Sequence, residues 1–171
     1  KDTLVSMHIV DGYKVRDPND KESLRRLKQL SSFTTKLFSI IRANVKYASH
    51  PGCKRLTSRF QCPNDICRVQ EKSYTYDQYA AYSVDKGKVI GICTKHEGKH
   101  VNENTMIYVY LHELAHVMSE QYDHDQAFWN NFAYLLEIAI THGLYVYEPF
   151  HLKNEHFCGE NIQYTPFIPE K

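Results

Sequence analysis

No apolar run in these 171 residues approaches the roughly 18 that a membrane span needs, so the chain as it stands does not read as an integral membrane protein. Internal repeats and low-complexity tracts are missing too, which argues against solenoids and disordered tethers. An even cysteine set is absent. Cys53, Cys62, Cys67, Cys93 and Cys158 make five, so at least one stays unpaired in any monomeric disulfide scheme. That leans towards a reducing, intracellular compartment, cytoplasm or nucleus. The chain opens on Lys1 rather than Met. This leaves a signal or anchor upstream open, and with it a virion or membrane-anchored full-length form.

Aromatic residues are plentiful, at 13%, and apolar residues make 42%, a composition that argues for a packed core in a single domain over 1–171. The net charge of +1 hides an asymmetry: residues 21–72 hold twelve Lys and Arg against three acids, and residues 73–171 hold six against thirteen. The basic segment 21–72 suits DNA or another polyanion. It equally suits a solvated helix face neutralised by the chain's own acidic half.

Asp11-Gly12 between short apolar runs marks a small hairpin or an irregular strand. Asn19, with Glu22 three residues on, reads as a capping box opening an amphipathic helix over roughly 20–45, whose stripe runs from Leu24 and Leu27 to Ile41. Residues 49–73, with Pro51-Gly52 and Pro63-Asn64, read as a loop. Tyr79–Val84 and Lys88–Thr94 flank the turn Asp85-Lys86-Gly87 as an antiparallel hairpin. A second helix starts near Asn104 and runs to about Gln121, apolar nearly all round and therefore buried. A third runs from about Asp125 to His142, with Gly143 placed as its C′ residue. The Pro- and Tyr-rich tail from Leu144 wraps the surface.

The buried helix contains His112-Glu113-Leu114-Ala115-His116. Four residues on a helix turn through about 400°, so both imidazoles share one face and can reach one ion. Glu113 lies about 100° from His112, beside the ion but off the ligand line, where a general base belongs. The pattern is the zinc metalloprotease signature. The plain alternative is two satisfied core histidines beside a helix glutamate, but such groups buried without partners are costly, and a metal removes that cost. A catalytic zinc takes three protein ligands and keeps one position open. His124 is the best third, eight residues after His116 and reachable by a short turn. Glu120 is the rival, although three ligands strung along one helix close a tetrahedron poorly. Asp123 and Asp125 flank His124, and Asp125 suits a supporting hydrogen bond, a helix N-terminus or both.

His112-Glu-Leu-Ala-His116 followed by His124-Asp-Gln-Ala-Phe128-Trp129 resembles the WLM and SprT-like metallopeptidases. The stretches 81–93 and 104–111 are similar to WLM-type peptidases encoded by large DNA viruses and some eukaryotes. Tyr13-Lys-Val-Arg16 and Leu135-Leu-Glu-Ile-Ala139 fit the same pattern, so the resemblance covers about residues 13–145, leaving 146–171 as the tail. It implies a compact zincin-like α+β fold, a small antiparallel sheet or hairpin on three main helices, with Zn²⁺ on His112, His116 and His124. It also implies hydrolysis of peptide bonds in protein substrates. Two members of the wider group act on proteins crosslinked to DNA, which gives the basic segment a role. In that chemistry Glu113 takes the proton of the attacking water and passes it to the leaving amine. Substrate lies extended against an exposed edge of Lys88–Thr94. A tyrosine often assists the oxyanion in zincins, and Tyr145, Tyr147 and Tyr164 are candidates.

Weaker signals remain. Cys62, Cys67, Cys93 and His96 offer a second zinc site, although the spacing matches no common finger or ribbon. A Cys62–Cys67 disulfide is the alternative in an oxidising compartment, and Cys158 is a candidate cap on the zinc of a latent form. Two other functions compete with the peptidase: a DNA- or polyanion-binding module with structural zinc, and a virion-maturation protease.

Overall fold

The computed structural model describes residues 6–73 and 80–170. Tyr79, expected to begin a strand, lies outside them. The fold is α+β. The first hairpin forms as expected: β1 (His8–Val10) and β2 (Tyr13–Val15) pair antiparallel around Asp11-Gly12, both at positive φ. Helix α1 (Lys21–Ala43) follows, but its N-cap is Asp20, whose carboxylate accepts from Ser23 N at 3.0 Å. The box of Asn19 and Glu22 is not made, because Glu22 is drawn to Arg25 and Arg26 on its own helix.

The segment 49–73 corrects the loop expectation. Helix α2 (Val45–Ser49) ends at His50, and α3 (Pro51–Arg59) begins at once. Pro51 sits in the first helical turn, where its missing N–H is not needed, and the His50 ring accepts from Gly52 N at 3.1 Å. Gly52 is required by close packing: a Cβ there would lie 2.8 Å from Asn131 Oδ1 and 3.1 Å from Met118 Cε. Beyond a single 3-10 turn at Pro63–Asp65 lies β3 (Val69–Glu71).

The main sheet is therefore larger than the expected hairpin, and mixed. Strands β4 (Ala81–Val84) and β5 (Val89–Ile92) pair antiparallel, with Ser83 opposite Ile90. β3 adds parallel to the other side of β5, giving the order β3-β5-β4. β5 is central, so the edge of Lys88–Thr94 expected to receive substrate is already paired.

Two short hairpins complete the strands: β6 (Lys95–His96) with β7 (Lys99–His100), and β8 (Glu155–Phe157) with β9 (Glu160–Ile162). Between them lie the two helices that carry the site. Helix α4 (Glu103–Met118) is capped by Asn102, which accepts from Thr105 N at 3.0 Å. The expected cap, Asn104, instead sits inside the helix and bonds the Val146 backbone and Glu148. Helix α5 (Gln126–Thr141) ends in a Schellman motif, with Gly143 at φ 71°, Gly143 N bonded to Ile140 O and Leu144 N to Ala139 O.

α4 is the core element, with twelve of its sixteen residues buried. It lies between α3 and α5 and against β4, and Tyr110 reaches α1 through a 2.6 Å hydroxyl contact with Thr34. The tail does more than wrap the surface. Tyr145, Phe150 and Phe157 are buried in the core, and the Tyr108 ring packs 4.7 Å from Phe150. Two disulfides form, Cys62–Cys67 and Cys93–Cys158, and Cys53 is a free, buried thiol. The odd count thus reflects one packed thiol, and the compositional case for a reducing compartment falls away. The second zinc site falls with it: Cys62 and Cys93 have different sulfur partners, and His96 sits beside Glu97. The same bond takes Cys158 away from any role as a zinc cap.

Candidate metal centre and its cleft

The end of α4 decides where the histidines meet. The expected run to Gln121 stops at Met118, because Ser119 turns extended and its hydroxyl donates back to Ala115 O at 2.8 Å. Asn131 of α5 donates to the same hydroxyl oxygen at 3.0 Å. Three cations close on the carbonyls of this terminus. Arg55 Nε donates to Met118 O at 2.6 Å, and Arg59 to Val117 O and Ser119 O at 3.1 and 3.2 Å. Lys86 donates to the carbonyls of Ser119 and Glu120. All three favour the negative end of the helix dipole. Lys86 arrives on the β4–β5 turn, where Asp85, Lys86 and Gly87 all hold positive φ and Gly87 packs so closely on Val117 that a Cβ would lie 2.6 Å from it.

The early stop frees a short turn to carry His124 back over the helix. His112, His116 and His124 each offer one nitrogen, and the three lie within 4.8 Å of one another. Nε2 of His116 and Nε2 of His124 are 3.0 Å apart. Bonds of about 2.1 Å in a tetrahedron space two ligand nitrogens about 3.4 Å apart, so this pair is close to ligand spacing. The rings surround one another with centroids 5.0, 5.1 and 4.8 Å apart. Phe128, fully buried on α5, stands under all three and stacks on His116 at 4.3 Å.

The rival ligands are used elsewhere. Glu120 is exposed and faces Arg55 at 3.3 Å. Asp123 is exposed. Asp125 caps α5, accepting from Phe128 N at 2.9 Å, and so anchors the helix that follows His124.

Burial favours the neutral form of two of the imidazoles. Burial is the main reason that His116 titrates at about 4, well below the usual imidazole value. The other two imidazoles and Lys86 push the same way, and Glu113 opposes them. Burial lowers His124 as well. Neutral imidazole is the form that binds metal. His116 Nδ1 is buried without a hydrogen-bond partner among the described residues, which leaves Nε2, the nitrogen facing His124, as the one engaged. Three imidazoles without a carboxylate form a donor set that fits Zn²⁺.

Glu113 is buried at 7% exposure, with Oε2 3.1 Å from Nδ1 of His112. A cavity of about 310 Å³ opens beside it, lined at one end by His112, Glu113 and His124. The other walls are Tyr108 and Val109 of α4, Trp129 of α5, Ala81 of β4, and residues 160–164. Of the three candidate tyrosines, Tyr164 lines this cavity and is 55% exposed. Tyr145 is buried, and burial raises its pKa strongly. Tyr147 is not among the lining residues.

The sequence reading missed Arg55, Arg59 and the segment 160–164. The arginines, four apart, show a common face once 51–59 is seen as helix. The segment 160–164 carries no motif; only its docking places it on the cleft.

Several viral proteins are similar to this chain. Uncharacterized protein R325 of Acanthamoeba polyphaga mimivirus is 34% identical over 84 residues, 48% of this chain and 43% of its own length. Uncharacterized protein 042R of Invertebrate iridescent virus 3 is 36% identical over 104 residues, 60% of this chain and 63% of its own length. Uncharacterized protein 136R of Invertebrate iridescent virus 6 is 34% identical over 80 residues, 46% and 42%. The chain therefore spans less than two thirds of each of these relatives. No protein-family model and no solved structure matches it.

Proposed function

We propose that this chain is a zinc-dependent endopeptidase of the WLM and SprT-like kind. The observation that carries the reading is the meeting of three imidazoles at one end of an open cavity, with the buried carboxylate of Glu113 beside them. A bound zinc would supply a Lewis acid that polarises the scissile carbonyl and acidifies water towards a pKa of about 7. His112, His116 and His124 would hold it. Glu113 receives the proton of the attacking water and returns it to the leaving amine. Among the described residues β4 stands at the end of the strand order, and an extended substrate would lie beside it.

Polyanion binding is narrower in the fold than in the sequence. Arg25, Arg26, Lys28, Arg55 and Arg59 serve internal partners. Lys21, Lys36, Arg42, Lys46 and Lys54 of α1–α3, with Arg68 beyond them, remain exposed for DNA.

The test is cleavage of casein and of histone by the zinc-loaded protein, with and without chelator and DNA. We expect one zinc per chain, cleavage abolished by chelator, and an intact zinc content with a loss of about 10²–10⁴ in kcat for Glu113→Gln. Unchanged turnover in that variant refutes the reading. Stimulation by DNA points to DNA-associated substrates, and indifference to DNA points to maturation or general proteolysis.

A further inference from the structure

Beyond the reacting centre, the cavity has a shape and chemistry of its own. Apart from the reacting centre it is lined by Tyr108 and Val109 of α4, by Trp129, and by Ile162 and Tyr164. Two polar groups of this lining are already bonded. Tyr108 donates its hydroxyl to Tyr164 O at 2.6 Å. Glu160 accepts from Ala80 N at 2.8 Å, which ties the strap to the start of the sheet edge. Trp129 stands edge-on to the Tyr164 ring, centroids 5.4 Å apart at 89°. Asn161 and Gln163, both exposed, also line the space, so ring surface and aliphatic carbon make up most of the wall but not all of it, and no Lys or Arg lines it.

We infer that this cavity is a specificity pocket that takes one large apolar side chain, aromatic or long aliphatic, from the substrate residue next to the scissile bond. The inference rests on the peptidase reading, since His112, Glu113 and His124 line the same cavity. About 310 Å³ is ample for a single such side chain. A charged side chain would lose its hydration there, and the two carboxylates of the lining are already engaged, Glu113 with His112 and Glu160 with Ala80 N. Ile162 is an apolar part of this lining and is not one of the three clustered histidines.

Trp129 is the sole tryptophan of the chain, so its emission reports occupancy without any turnover. N-acetyl-phenylalanine amide and N-acetyl-leucine amide, titrated into the metal-free protein, are expected to shift Trp129 emission saturably, and the alanine counterpart is not. With zinc-loaded protein, blocked peptides differing at one position next to the bond should show kcat/KM at least about tenfold higher for Phe or Leu than for Ala, Lys or Glu. Ile162→Asp should reverse the order towards Lys. Ile162→Phe, which keeps the wall apolar but narrows it, should shift the preference from Phe towards Ala. Cleavage with no size preference, a preference for Lys or Glu in the unmutated protein, or indifference to both Ile162 variants overturns the pocket while the peptidase reading stands. Zinc bound but no peptide cleaved overturns the peptidase reading, and with it the assignment of the occupant as substrate, whatever the Trp129 titration gives.

Discussion

On one side of the cleft stands α4, held by apolar packing against α3, α5 and β4, by the Asn102 cap at one end and by three cations at the other. On the other runs the strap 160–164, three of whose five residues are exposed, held by the Cys93–Cys158 bond, the Glu160 contact and the Tyr108 hydroxyl. The difference matches the tasks that the proposed peptidase reading assigns to the two walls. Ligand nitrogens and a proton-transferring carboxylate must hold position closely, and a packed helix gives that. A wall that meets varied substrate side chains needs shape more than rigidity, and a short strap tied at a few points supplies it.

The comparison can be broken from either side. The largest effect should come from the packed wall: Leu114→Ala, at a fully buried site, is expected to destabilise by about 2–5 kcal/mol and to weaken zinc retention. Urea unfolding with zinc analysis checks this, and a loss under 1 kcal/mol would mean the helix is less tightly gripped than its burial implies. Next comes the strap. The Cys93–Cys158 bond closes a sequence separation of 65, and Cys158→Ser should cost roughly 2–4 kcal/mol while zinc content stays at wild-type level. Loss of zinc in that variant would show the two walls to be coupled. Arg59→Gln sharpens the account of the helix terminus, with an expected cost of about 0.3–2 kcal/mol that shrinks in salt.

The mildest probe is pH. His116 titrates at about 4 in the fold against an ordinary 6.5, so the unfolded chain binds the extra proton first. Its contribution to the stability of metal-free protein is complete above about pH 6.5 and is lost as pH falls towards about 4. Thermal midpoints measured from pH 7 down to pH 4.5 should fall, and more steeply than those of His116→Gln.

The helix wall was legible in the sequence and the strap was not, for a physical reason. α4 and α5 announce themselves by composition, period and caps, and the short turn between them brings His124 to His112 and His116. Errors there were small: Asn102 and Asn104 are chemically equal as caps, and only the bond from Asn104 to the tail separates them. Pro51-Gly52 reads as a turn until His50 is seen capping the helix that Pro51 begins. β3 is three residues long and pairs parallel with a strand 20 residues on, which no local pattern announces. Cysteine count cannot give connectivity, and burial of Phe150 and Phe157 depends on a docking surface made by distant residues.

The long-range sulfur bond has a practical consequence. His112, Glu113, His116 and His124 all lie within the span that it closes. A single backbone cut anywhere in that span, self-inflicted or not, leaves both pieces covalently joined. Such a nicked molecule would migrate intact in a denaturing gel until a thiol is added, so the true extent of fragmentation shows only in the reduced lane.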